Sequence, residues 1–293
     1  MVSEDAPILF IASYPRSGNT FSRILLGNYT ADGALDLNQL ENSLPADTSE
    51  FLWADIPDYA SQEINAVNHW KHRRQVIANY RRRPASLPFR ALKTHTANLV
   101  AFGAPAFEFQ PQDRVLYLVR HPLDVAVSNA DYNNQDIDAT IDLMCRPGTC
   151  VGTGSLAGIE ARGSWNQHVA GWLATVACPS LLMRYEDLCR DPAGGLRRIL
   201  DFIGLPVDEL RLARAVKRST FSELQRQEAE SGFAEAPANT RSGRFFRQGR
   251  SEQWHEAMTR EQALRLADQC GETMSQLGYE HPRQVYADAA PAR

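Results

Sequence analysis

The sequence predicts an α/β fold: a mostly parallel central sheet flanked by helices, with a P-loop-like phosphate-binding turn near the N-terminus. Three observations point there. Short runs dense in apolar residues, the mark of strands buried on both faces, occur at residues 8–13 and 114–119, with a third at 181–184 and a shorter one around 91–93. Helical patterns lie between them: Phe21, Ile24, Leu25 and Tyr29 share one helical face, as do Leu196, Ile199, Leu200 and Ile203 ahead of Gly204, which is placed as a C-cap. The first strand passes through a turn of small residues straight into a helix. Strands alternating with helices imply βαβ units, hence helices on both faces of the sheet.

A last helix is expected from Leu264, Leu266, Met274 and Leu277, closed by Gly278. With 293 residues, 43% of them hydrophobic, the chain is near the upper limit for one core. One domain over residues 1–293 is expected, with an ordered core of about 6–287 and a short C-terminal tail.

The net charge of -4 and a pI near 6.0 argue against a nucleic-acid binder, which usually carries a net basic field. Any anion site must be local. No run approaches the roughly 18 to 20 apolar residues of a membrane span, and residues 1–7 lack the basic and apolar regions of a leader. A cytoplasmic location is therefore expected. The cysteines, Cys145, Cys150, Cys178, Cys189 and Cys270, are odd in number and form no CxxC pair, so reduced thiols are expected rather than a disulfide frame or zinc site.

Two stretches lack clear periodicity. Residues 133–163, rich in Gly, Asp and Thr, read as a long loop or lid, and residues 30–58 as a second irregular insertion. The basic run with Lys71, His72, Arg73, Arg74, Arg81, Arg82 and Arg83 reads as the charged solvent face of a helix, with an acidic acceptor or membrane surface as the alternative.

The most informative segment is Tyr14-Pro15-Arg16-Ser17-Gly18-Asn19-Thr20, between the first strand and its helix. Such a turn aims unpaired backbone N–H groups and the positive end of the helix dipole at one point, which attracts phosphate. Ser17 and Thr20 add hydroxyls, Gly18 permits close backbone approach, and Arg16 adds a planar cation. The GxxxxGK[ST] pattern of a triphosphate loop is absent. An ordinary N-capped turn is the alternative on these residues alone.

The loop resembles, nearly residue for residue, the 5′-phosphosulfate loop YPKSGTTW of the cytosolic-type sulfotransferases. Those enzymes use 3′-phosphoadenosine-5′-phosphosulfate (PAPS). Arg16 stands for the Lys, Asn19 for a Thr, and Phe21 for a Trp whose implied role is adenine stacking. Arg120-His121-Pro122-Leu123-Asp124-Val125-Ala126-Val127-Ser128 is similar to the family's 3′-phosphate motif RNPxDVAVS, which implies that Arg120 and Ser128 grip that phosphate; an Arg120–Asp124 surface pair is the alternative. Tyr185-Glu186-Asp187-Leu188 resembles the YEDL segment, in which the Tyr contacts adenine, and Ser219 with Phe221 resembles TSFxxM, a second wall for the base. Arg247, Gln248 and Gly249, with Trp254 seven residues after Arg247, resemble RKGxxGDW, with Gln248 in place of Lys and Glu252 in place of Gly. By that resemblance Arg247, Gln248 and Gly249 complete the 3′-phosphate pocket. The segment 163–172 resembles GSWxxHVxxW, where His168 reads as a packed residue.

Arg90-Ala91-Leu92-Lys93-Thr94-His95 resembles the family's LKTH segment, which implies His95 as general base and Lys93, with Arg16, as stabiliser of the transferring group. The chemistry suits these types: an acceptor hydroxyl must lose a proton as it attacks sulfur, while charge grows on the sulfuryl and leaving oxygens. The other histidines show no metal-ligand spacing, and no metal is expected.

The expected activity is transfer of the sulfuryl group of PAPS to a hydroxyl of a small-molecule acceptor, a phenol, alcohol or glycan, leaving PAP. A homodimer stays open, since no segment matches the family's short C-terminal dimerisation motif. A phosphotransferase sharing the strand–loop–helix geometry is one rival, opposed by the missing Walker lysine. A PAP sensor without chemistry is another, opposed by intact Lys93 and His95.

Overall fold

The computed structural model describes residues 6–288 apart from 86, 153 and 238; most of the expected C-terminal tail lies outside the described residues. Four strands, β1 (Ile8–Ser13), β2 (Arg90–Thr94), β3 (Arg114–Val119) and β4 (Ser180–Arg184), form a parallel sheet in the order β2-β1-β3-β4. Each coincides with one of the apolar runs of the sequence, β2 and β4 beginning one residue earlier. In register, Phe10 faces Leu92 on one side and Val115 on the other.

Side chains alternate across a strand, so β1 feeds two cores at once. Ile8, Phe10 and Ala12 enter one, Leu9 and Ile11 the other. Full burial of an Ile or Leu contributes roughly 1.5–3 kcal/mol, which makes this central strand the anchor of both layers. The first core is covered by α2 (Ala66–Arg81), α3 (Pro122–Tyr132), α5 (Trp165–Leu173) and α10 (Arg260–Gln276). The second lies under α1 (Asn19–Thr30), α7 (Pro192–Ile203), α8 (Glu209–Arg218) and α9 (Phe221–Ser231). The short α6 (Tyr185–Arg190) follows β4. Gly204, at φ 74°, ends α7, and Gly278, at φ 70°, follows α10, both in the left-handed region that favours glycine.

Three expectations change. Residues 133–163 are not one irregular loop: they contain α4 (Ile137–Cys145) and a ribbon pairing Cys150–Val151 with Glu160–Ala161. Thr140, Ile141 and Met144 bury one side of α4, a face too short to stand out among Asp and Thr. Residues 30–58 hold a 3₁₀ turn at Leu37–Gln39 and short helices at Leu40–Ser43 and Glu50–Trp53. This belt also grips the edge of the sheet, where Lys93 N donates to Pro45 O at 2.7 Å and Asp47 N to Lys93 O at 2.9 Å.

The basic run is not simply a solvent face. Arg73 is buried and ion-paired with Asp47, Arg81 holds Asp113, Arg74 holds Glu108 and Arg83 holds Asp55. Most of its charge clamps α2 and the turn after it to neighbouring loops, while Lys71 and Arg82 remain exposed. Among the described residues, no helix is long and apolar enough to cross a membrane.

Candidate active site

The strand order reverses at β1, and open α/β sheets hold ligands beyond the C-terminal ends of strands at such a point. A cavity of about 380 Å³ lies there. The turn after β1 gives it Arg16, Gly18, Asn19, Thr20 and then Phe21; the end of β2 gives Lys93 and His95; β3 and α3 give Arg120 and Ser128. Tyr185, Ser219 and Phe221 form a further wall, with Arg247, Gln248 and Gly249. Ser17 is the one sequence-derived candidate outside the lining: its Oγ is buried and has no hydrogen-bond partner among the described residues.

The turn itself is held open by backbone conformation. Gly18 sits at φ 98°, and a Cβ there would lie 2.7 Å from Tyr185 Cδ2, so the close approach of loop and ring requires glycine. Among the described residues no side chain caps α1, which leaves its first N–H groups available to a ligand. Asn19 turns its side chain away, donating to Ile11 O at 2.8 Å, and so braces the turn against β1.

Arg16 also has a left-handed backbone, φ 67°. Its guanidinium carbon lies 4.5 Å from the ring centres of both Tyr132 and Phe245, and Nε donates to Ser128 Oγ at 3.1 Å. Burial lowers its pKa to about 10, so it remains a cation at neutral pH. Arg120 lies over Tyr185, 4.4 Å from the ring centre, and donates to Arg16 O and Arg250 O, both at 3.1 Å. The Asp124 carboxylate is 3.8 Å away, but both groups are buried, and Asp124 accepts from the backbone N–H of Glu252 and Trp254. The Arg120 Nε, also buried, has no partner among the described residues.

Phe221 packs against Gly249, where a Cβ would meet its ring at 2.3 Å. The Ser219 hydroxyl donates to Ala215 O at 2.8 Å, so its first contribution is to end α8. Arg247 donates to Gln253 Oε1.

At the other end of the cavity, His95 Nδ1 lies 2.8 Å from Ser13 O. A carbonyl only accepts, so Nδ1 carries the hydrogen and Nε2 the lone pair. Burial, with help from the Lys93 and Arg162 charges and against the pull of Glu160, lowers the imidazole pKa to about 4. His95 is therefore neutral at pH 7. Lys93 Nζ sits 3.3 Å from Glu235 Oε2.

Sequence reasoning missed the acidic half of this end. Glu160, on the short ribbon, accepts from Arg162 Nε at 2.7 Å, and both line the cavity. Although burial raises the Glu160 pKa, the Arg162, His95 and Lys93 charges outweigh it and hold the carboxyl at about 2. Glu235 is likewise held at about 2, burial being outweighed by Lys93 and Arg23. The one signal for the first pair is opposite charges two residues apart at a strand, hence on one face; no motif marks Glu235. Tyr132 and Phe245 were missed as well. His168, read as a packed residue, is buried off the cavity, with its Nδ1 3.0 Å from the Tyr117 hydroxyl.

A family model described as the sulfotransferase domain matches residues 6–278. The chain belongs to that family. Rat sulfotransferase 2A2 is 32% identical over 170 residues, covering 53% of this chain and 54% of that protein, and mouse sulfotransferase 2B1 is 28% identical over 257 residues, covering 86% and 66%. The chain thus matches about half to two thirds of the length of these curated relatives. Among solved structures, retinol dehydratase in complex with androsterone and the inactive cofactor PAP aligns with a TM-score of 0.59 at 18% identity, over 91% of this chain and 80% of that one. A mouse sulfotransferase complexed with PAP aligns at 0.57 and 20%, over 93% and 85%. These likenesses are of fold.

Proposed function

We propose that this sulfotransferase-family protein transfers the sulfuryl group of PAPS to a hydroxyl of a small-molecule acceptor, with His95 as general base. The observation that carries it is the meeting, in one cavity, of Arg16, Arg120 and Arg247 with Lys93 and a neutral His95. The residues fit a nucleotide carrying a 3′-phosphate and a 5′-phosphosulfate. Arg120 Nε, on a side chain that lines the cavity, is a buried polar atom with no partner among the described residues, and such an atom is costly unless a ligand satisfies it. The family membership and the PAP-bound neighbours of like fold support the same nucleotide.

In the step proposed, the acceptor oxygen forms its bond to sulfur while the bond from sulfur to the 5′-phosphate oxygen breaks. The acceptor proton goes to His95 Nε2, and the electron pair leaves with PAP. Lys93 and Arg16 offset charge growing on the sulfuryl and leaving oxygens. Arg120, Ser128, Arg247, Gln248 and Gly249 hold the 3′-phosphate; Gly18, Asn19 and Thr20 hold the 5′ group, with Ser17 in the same turn but outside the lining; Phe21, Tyr185, Ser219 and Phe221 enclose the base. The mixed charged and aromatic wall of Glu160, Arg162, Tyr132 and Phe245 supports a phenol, alcohol or glycan as acceptor, in line with the androsterone-bound neighbour. We take the activity to reside in one domain. The odd number of cysteines with no CxxC pair fits the thiols of a reducing compartment, which supports a cytoplasmic location.

Transfer of labelled sulfate from PAPS across a panel of phenols, alcohols, amines and glycans tests the activity. Titration of PAP against ATP without Mg²⁺ tests the nucleotide: tighter ATP binding, or no transfer to any acceptor, refutes the proposal.

A further inference from the structure

Lys93 is fixed by a closed circuit of contacts. Its backbone N–H donates to Pro45 O and its carbonyl accepts from Asp47 N, which ties β2 to the belt at residues 44–47. One residue before Pro45, Leu44 O accepts from the buried Arg23, from Nε at 3.1 Å and Nη2 at 2.6 Å. Arg23 Nη1 then reaches both oxygens of Glu235, at 2.7 and 2.9 Å, and Glu235 Oε2 returns to Lys93 Nζ at 3.3 Å. The Tyr132 hydroxyl also donates to the Glu235 backbone carbonyl at 3.3 Å.

We propose that Glu235 is a positioning residue for sulfuryl transfer: held by Arg23, it fixes the Lys93 ammonium at the reacting end of the cavity. The inference rests on the role given to Lys93 above. A lysine is a compact charge on a flexible four-carbon stem, and left alone it samples many rotamers. An ammonium has three protons; one directed at Glu235 leaves two for sulfuryl oxygens. A carboxylate in a site for a polyanion would repel the ligand if uncompensated. Here two cations, Arg23 and Lys93, meet one carboxylate, so the cluster as a whole keeps a net positive charge, with Lys93 and Glu235 lining the cavity and Arg23 buried. Glu235 also lies in the chain between α9 and Arg247 that brings Phe245 and Phe246 to the cavity wall, so one segment serves both nucleotide and lysine.

The test needs no acceptor. Dissociation constants for PAPS and PAP are measured by calorimetric titration for the parent, Glu235→Gln, Lys93→Met and the double variant, with thermal melting as a check of folding. Lys93→Met should weaken PAPS and leave PAP within about twofold. Glu235→Gln should do the same, weakening PAPS by about tenfold, the scale of one charge-assisted hydrogen bond, and should add nothing in the Lys93→Met background. Glu235→Asp, which keeps the charge for Arg23 but withdraws it from Lys93, should shift the ratio in the same direction and serves if the Gln variant is unstable. Equal losses for PAPS and PAP, or an effect that persists without Lys93, would make Glu235 a structural residue and overturn the proposal. Tighter PAPS binding in Glu235→Gln would mean that Glu235 competes for Lys93, which also overturns it. Unchanged PAPS affinity in Lys93→Met alone would refute the role of Lys93 itself, a separate failure visible in that single variant.

Discussion

His95 donates from Nδ1 to the Ser13 carbonyl at 2.8 Å, and this bond presents Nε2 as the acceptor of a proton. His95→Ala should keep near-normal PAP affinity, because the proposed phosphate and adenine contacts lie elsewhere. Turnover should fall about 10²- to 10⁴-fold, the usual contribution of a positioned general base. The loss should shrink for more acidic hydroxyls such as nitrophenols. Unchanged kcat with a weakly acidic acceptor removes His95 from the mechanism.

The same residue sets a pH dependence. With His95 as the proposed base, only neutral imidazole accepts the proton, so activity should be present above its pKa and be lost as pH falls through about 4. The Glu160 charge raises that pKa; Glu160→Gln should move the acidic limb to lower pH. A limb that stays in place, in a variant with normal PAP affinity, shows that Glu160 does not act on His95.

Arg120 carries the clearest nucleotide prediction. Arg120→Ala should weaken PAP by about 10- to 150-fold, the equivalent of roughly 1.5–3 kcal/mol for a charge-assisted contact. A 3′-dephospho analogue should bind the variant about as well as the parent. Equal loss for both ligands would take the 3′-phosphate away from Arg120.

Arg16, stacked between Tyr132 and Phe245, should act as an electrostatic clamp. Arg16→Lys should retain measurable turnover, since the charge stays while the planar stacking is lost. Arg16→Ala should lower kcat sharply, and parental kcat in that variant rules out the clamp.

The parts legible in the sequence are those where chemistry is local. Residues 8–20 declare a buried strand, a small-residue turn and a helix in consecutive positions, and Lys93 and His95 stand two apart, so motif and geometry coincide. Glu235 was not legible because it meets Lys93 across 142 residues, from a segment without periodicity. Arg73 shows the same limit in reverse. Its charge is plain among the basic run, but only the folded belt brings Asp47 beside it and turns a surface-like residue into a buried ion pair.

Glu252 gives a prediction about stability. It occupies the place of the Gly in RKGxxGDW and adopts φ 64°, with its N–H donated to Asp124 Oδ2 at 2.7 Å. Asp124 also takes the Trp254 N–H, so the backbone there cannot relax without losing two bonds to a buried carboxylate. A residue with a Cβ costs roughly 1–2 kcal/mol in the left-handed region. Glycine removes that cost but gives back roughly 0.4–1 kcal/mol through the greater freedom of its unfolded chain. Glu252→Gly should therefore stabilise by about 0.5–1 kcal/mol, a rise in Tm of roughly 1–4 °C for a chain of this size. Glu252→Asn, which tolerates the same backbone without glycine's entropy, should also raise Tm. The Glu252 side chain is exposed and does not line the cavity, so PAP affinity should be unchanged in both variants. If neither substitution raises Tm, the left-handed conformation at position 252 carries no strain, and the Glu in place of the family's Gly is without cost.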